Sequence, residues 1–252
     1  MTKEEFKNIE KLYHYTSFES AVKIIETKSL KFGSLQRMND INERYKHKYV
    51  SNKEKDFYVT IKDLEKELSN IKQISLSQDT KKRCGFDIPA MWGHYAERGE
   101  GVCFVFDKQK ILEEAKKNKC KSSRVLYQET CNDIFYEDKY TVKEFFIKYL
   151  KSLFFTKTKD WSYEQEYRIL NMKNTNDELF LDVKDALLAI IICNVSDEHY
   201  TTTTKYKILS AITNIPILEY SNTNLFGLKL ADSNMEEWFG DSLGINNSEI
   251  DV

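Results

Sequence analysis

Leu12-Tyr13-His14-Tyr15-Thr16-Ser17 is the stretch whose reading sets the fold class. It is rich in β-formers, and Phe18, Ala21, Val22, Ile24 and Ile25 follow at helical spacing with Ser17 where an N-cap belongs. That pattern predicts a strand feeding directly into a helix. Downstream, Leu30 to Ser34 reads as a short strand, and Met38 to Glu43 as a loop or helix start. A Lys/Glu-laced helical region then runs to about Asn70. Ile74 to Ser77 alternates like a half-buried strand. Asp79 to Asp87 is loop-like, and Pro89 suits the first turn of a helix holding Met91, Trp92 and Tyr95 that Gly99 and Gly101 close. Val102 to Phe106 is a nearly continuous apolar strand, Gln109 to Lys117 a helix, Arg124 to Tyr127 a strand and Ile134 to Phe155 a long helix. A strand over Tyr163 to Leu170, the apolar run Ala186 to Val195, a helix over Asp197 to Ile212 and a closing pair around Ile217–Tyr220 and Phe226–Leu230 complete the chain.

Strands separated by unequal helices and hairpin-like spacings point to an α+β fold with a mixed, mostly antiparallel split β-sheet core and flanking helices. No linker rich in Pro, Gly or Ser interrupts it, so residues 1–230 are expected to form one α+β domain, with 231–252 an acidic peripheral tail. That tail carries Met235, Trp238 and Phe239 but no Lys or Arg, and one amphipathic turn of it is expected to dock on the body.

The 252 residues are 41% hydrophobic and 31% charged, enough apolar material for a core and far from the disordered class. Only 8 glycines and 2 prolines are present, which argues against collagen, propeller and proline-rich architectures. The longest apolar run is about half of the ~20 residues that cross a bilayer, and the charged N-terminus lacks a signal-like apolar stretch. A soluble cytoplasmic protein with no membrane partner is expected. Five cysteines without a C-x-x-C pair suit a reducing compartment and argue against a disulfide framework. The net charge of −2 conceals a gradient: residues 1–173 carry +7 and residues 174–252 carry −9. The basic part suits an anionic ligand such as a dinucleotide or RNA, or is simply a solvated lysine-rich face.

Three clusters mix large rings with ionisable groups, as ligand clefts do: Tyr13-His14-Tyr15-Thr16, Met91-Trp92-Gly93-His94-Tyr95-Ala96 and Trp161 to Arg168. An aromatic core rim with a satisfied histidine is the competing reading of each. Glu164 and Glu166 stand two apart in the expected strand, so both carboxylates would leave one face, with Arg168 continuing the row. Such a pair can hold a hydroxyl and stabilise a developing cation, as glycosyl transfer requires; it can also be a solvent-facing stripe neutralised by Arg168. His94 and Glu97 lack a third ligand, so no metal site is expected. Dinucleotide-loop, Walker and H-E-x-x-H motifs are absent, and no serine or cysteine stands in a recognisable nucleophile context.

The ordered motifs resemble the bacterial family called domain of unknown function 2971. The matching pieces are Leu12 to Ser17, Asn39-Asp40 with Glu43, Met91-Trp92 with His94-Tyr95-Ala96, Gly101-Val102, and Phe155-Thr156-Lys157 leading to Trp161 and Glu164 to Arg168. A second resemblance, in motif order alone, is to the ADP-ribosyltransferase superfamily: His in a first strand, Tyr in a mid-chain helix, Glu-x-Glu in a later strand. It implies NAD as substrate, with His14 on the adenosine-side ribose, Tyr95 stacked on nicotinamide (Trp92 or Tyr15 as alternatives), Glu166 as the catalytic glutamate and Glu164 orienting the acceptor. Thr16 and Arg168 complete the set expected around the dinucleotide. The implied function is a mono-ADP-ribosyltransferase-like toxin or anti-phage defence effector that modifies a protein or nucleic acid and is held in check by a neutralising partner protein. Two other readings of the same clusters are a nonenzymatic nucleotide- or RNA-binding sensor, and an RNA-processing enzyme using His14 or His94 as acid or base.

Overall fold

A computed structural model describes residues 3–35, 66, 68, 70–130, 141–173, 177–194, 199–221 and 228–230. The expected Met38–Glu43 loop with Asn39, Asp40 and Glu43, most of the polar helical region after it, Cys131 and the tail 231–252 lie outside these residues.

A short helix, α1 (Lys3–Asn8), leads to β1 (Lys11–Thr16) and α2 (Phe18–Thr27). Ser17 caps α2 by accepting the Ser20 N–H, as its position predicted. Next come β2 (Ser29–Lys31), β3 (Gly33–Ser34), β4 (Lys72–Gln78), α3 (Pro89–Tyr95) and β5 (Val102–Asp107). Asp107 then caps α4 (Lys108–Lys117), its carboxylate accepting the Lys110 N–H at 3.1 Å. The remainder is β6 (Lys121–Arg124), β7 (Leu126–Gln128), α5 (Val142–Lys148), α6 (Leu150–Phe154), β8 (Thr156–Thr158), a 3-10 turn over Lys159–Glu164, β9 (Glu166–Asn171), β10 (Phe180–Asp182), β11 (Leu187–Asn194), α7 (His199–Ile212), β12 (Ile217–Ser221) and β13 (Leu228–Leu230).

Nine strands form one open sheet in the order β13-β12-β11-β5-β1-β4-β9-β6, with β3 added beside β4. Every pairing in it is antiparallel except β11 with β12, which α7 connects as a crossover. All six residues of β5 are buried because β1 and β11 flank it and both faces are covered, which is why it reads as an unbroken apolar run. On one face Leu12, Phe104, Ile169 and Ile190 pack with Ile24 and Ile25 of α2, Ile111 of α4 and Leu209 of α7. On the other, Tyr13, Tyr15, Val105 and Ile191 pack against Met91 and Trp92 of α3 and the preceding Phe86 and Ile88. A third cluster seats Phe145, Phe146, Leu153 and Phe154 on Ile71 and Leu170. Gly101 is required where β5 leaves α3: a Cβ there would lie 2.1 Å from the Thr16 carbonyl oxygen.

Four expectations change. The strand predicted over Tyr163–Leu170 starts only at Glu166, and Arg124–Tyr127 divides at Val125 between β6 in the large sheet and β7, which pairs with β8 in a sheet of its own. The described part of the predicted long helix is two short ones, interrupted at Tyr149. In place of a split core there is one open sheet with a fork inside it: β1 matches β5 at six positions and β4 matches β9 at six, but β1 and β4 meet only at Leu12–Gln78 and Tyr13–Ser77. No helix among the described residues is long and apolar enough to cross a membrane.

Candidate functional site

Beyond Tyr13, β1 and β4 diverge, and a cavity of ≈ 360 Å³ occupies the opening. His14 spans the fork, its Nδ1 3.3 Å from the Ser75 carbonyl oxygen. A carbonyl only accepts, so the ring carries its proton on Nδ1, and in the neutral form Nε2 holds the lone pair. Burial pushes the His14 pKa down, against the opposing pull of the Ser75 bond, so the neutral ring prevails at pH 7.

Over the cavity, Tyr95 of α3 meets the turn that joins β8 to β9. Gln165 sits in that turn with left-handed backbone (φ 49°) and its carbonyl accepts the Gln78 N–H at 3.0 Å. This kink separates Glu164, the last residue of the 3-10 turn, from Glu166, the first of β9. The two glutamates are therefore not related by strand alternation as their spacing suggested. They converge because Lys157 of β8 lies between them, its Nζ 2.6 Å from Glu164 Oε2 and 3.0 Å from Glu166 Oε2. The Tyr95 hydroxyl donates to the other Glu164 oxygen at 2.7 Å. Trp161 covers the ammonium with its ring centroid 5.1 Å from Nζ. Tyr163 and His94 continue a series of rings from Trp161, with centroids 6.1 Å apart for Trp161–Tyr163 and 6.4 Å for Tyr163–His94.

Arg168 reaches Glu166 from within the protein. Its Nε and one terminal nitrogen donate to the two carboxylate oxygens at 2.6 and 2.8 Å, and the other terminal nitrogen donates to the Phe154 carbonyl at 2.7 Å. The Glu166 backbone N–H is taken by the Tyr127 hydroxyl at 2.8 Å. Burial raises the Glu166 pKa, but the Arg168 guanidinium and the Lys157 ammonium outweigh it and hold the carboxyl well below the usual range. Glu164 goes the other way: burial raises it, Lys157 only partly offsets this, and the neighbouring Glu166 charge adds to the rise. One cavity thus holds one carboxylate kept ionised by its cations and a second that is protonated more easily.

His14, Tyr15, Tyr95, Glu164 and Glu166 all line this cavity; Thr16, Trp92 and Arg168 do not. Trp92 is a core residue, stacked on Tyr220 (5.7 Å, 12°) with its indole N–H donated to the Phe86 carbonyl. Thr16 ends β1 opposite Val102. Arg168, expected either on the ligand or in a solvent-facing row, is fully buried. Tyr15 lines the cavity while its hydroxyl donates to the Gly85 carbonyl. Lys157 was missed as a site residue: a lysine two residues after the apolar run Leu153-Phe154-Phe155 and seven before Glu164 is the signal that could have marked it. His94 is exposed, and Glu97 accepts the Phe18 N–H at 3.0 Å. Among the described residues no group of three or more His, Cys, Asp or Glu could hold a metal ion.

The family described as protein of unknown function (DUF2971) matches residues 91–169. The matched stretch contains Tyr95, Lys157, Glu164, Glu166 and Arg168, and leaves out β1 and β4, the two strands between which the fork opens. No curated protein and no solved structure matches the chain.

Proposed function

We propose that the fork cavity is an NAD-consuming site of the ADP-ribosyltransferase type, in which the nicotinamide–ribose bond is broken and ADP-ribose passes to a protein or nucleic-acid acceptor. The observation that carries this reading is the convergence of Glu164, Glu166, His14 and Tyr95 on one cavity at the place where the sheet divides. Nicotinamide leaves with the electron pair of the glycosidic bond, and ribose C1′ becomes a cation that a fixed carboxylate stabilises. Glu166 is saturated by Arg168 and Lys157, so its role is to anchor Lys157. Glu164, held among the described residues by Tyr95 and Lys157, is the carboxylate able to take a ribose hydroxyl and to receive the proton of the acceptor nucleophile. This reverses the roles that motif order alone implied for the two glutamates.

Incubation of the purified chain with NAD, with nicotinamide release as readout, tests the proposal. Glu164→Gln is expected to lower release by about 10²–10³-fold, the usual loss for one electrostatic contact to a transition state, while leaving the melting temperature unchanged. The neutralised state of Glu166 favours one second reading, a nucleotide-binding module without turnover. Calorimetric NAD binding without nicotinamide release by the wild type would select it.

A further inference from the structure

A second pocket, of ≈ 390 Å³, opens at the end of the sheet where β11 and β12 begin. Ile25 from α2, Val183 and Leu187 from the approach to β11, and Ile212 and Ile215 from the end of α7 make it aliphatic. Lys28 and Lys184 stand at its rim, and neither has an ion-pair partner among the described residues. Ile212 remains 40% exposed and Ile208, one turn earlier, 43% exposed, so the apolar surface continues out of the pocket along α7.

The chain itself arrives at this spot. β13 is antiparallel to β12 with Leu230 opposite Leu218, so the described end of β13 stands beside the start of β12, close to Ile215. Residues 231–252 contain six acids and no Lys or Arg, and two of the acids stand directly before two rings in Glu236-Glu237-Trp238-Phe239. Trp238 is eight residues past Leu230, a reach of up to about 26 Å when extended, ample for a pocket that starts beside β12. We propose that Glu236-Glu237-Trp238-Phe239 docks in this pocket of its own chain, with the Trp238 ring against Ile25, Leu187, Ile212 and Ile215 and the two glutamates on Lys28 and Lys184. The apolar wall with a cationic rim is complementary to an aromatic residue preceded by carboxylates, and an attached segment binds at a high effective concentration.

Zero-length carbodiimide cross-linking of the full chain at low concentration, followed by peptide mapping, tests the contact, since it joins only carboxylates and amines that touch. Lys28 and Lys184 are expected to form amides with Glu236 or Glu237 within the monomer. Trp238→Ala should reduce these cross-links at least about tenfold, because burial of a large apolar side chain is worth more than one decade in an equilibrium constant. Trp238→Phe should retain most of them. Cross-links no more frequent than those to Lys116 or Lys119, cross-links unchanged by Trp238→Ala, or cross-links found only in dimers would each overturn the assignment, the last giving the pocket to a second copy. The outcome does not depend on NAD.

Discussion

Arg168 has no access to water, and its charge is tolerated because Glu166 takes two of its N–H groups in a bidentate pair and the Phe154 carbonyl a third. Removing one partner of such a pair strands the other, which costs about 3–5 kcal/mol, whereas removing both and filling the volume is often neutral. Urea unfolding should therefore show a loss of about 3–5 kcal/mol for Arg168→Met and a smaller loss for the double variant Glu166→Gln/Arg168→Met. The two glutamates also bias stability with pH in opposite directions. Glu166 has a depressed folded pKa, so its contribution is present above the unfolded value of 4.5 and disappears as pH falls below it. Glu164 has a raised one, so its contribution is full below 4.5 and is lost as pH rises through the folded value. At pH 7, Glu164→Gln is thus expected to unfold within about 1 kcal/mol of the wild type, and acid titration of its melting temperature should retain the wild-type fall below pH 4.5.

At the scale of elements, the site depends on where β9 starts. Gln165 in the left-handed region costs about 1–2 kcal/mol for a residue with a side chain, and glycine removes that cost. Gln165→Gly should raise stability by up to about 1 kcal/mol after its larger unfolded-state entropy is counted, and Gln165→Val should lower it; thermal melts compare the two. If glycine destabilised the protein instead, the kink between the glutamates would not have the geometry described. The opposite end of the fork is pinned by Gly101, where any Cβ meets the Thr16 carbonyl. Gly101→Ala should cost about 1–3 kcal/mol or more, since the neighbour is backbone and cannot rotate away.

Across the whole molecule, chain order and sheet order are interleaved: β1, β4 and β5 from the first half lie between β9 and β11 from the second. Each half leaves a strand edge that the other covers, β4 lying against β9 and β5 against β11. Limited proteolysis is expected to leave no pair of separable folded halves, and unfolding followed by far-UV circular dichroism and by tryptophan fluorescence should coincide in one transition. Two transitions would show that the sheet halves on either side of the fork, joined at only two register positions, unfold separately.

Elements with a local signal were legible in the chain itself. Ser17 before an apolar helical face, Pro89 in a first turn and the unbroken run Val102–Phe106 each express a preference within a few neighbouring residues, and tertiary packing agrees with them. The three ring-and-charge clusters were legible as composition, and the presence of His14, Tyr95, Glu164 and Glu166 in one cavity is consistent with them. What each residue does there was not. Spacing two apart suggested a shared strand face for Glu164 and Glu166, but a hydrogen bond from Gln78, 87 positions earlier, fixes the kink that separates them. Lys157 and Arg168 make Glu166 a fixed anion, and Trp92 is core because Tyr220 covers it. Helix caps and apolar periodicity act over a turn or two of chain, whereas the charge state of a buried carboxylate depends on which cations the fold brings within about 4 Å of it, and that is settled only by the completed sheet.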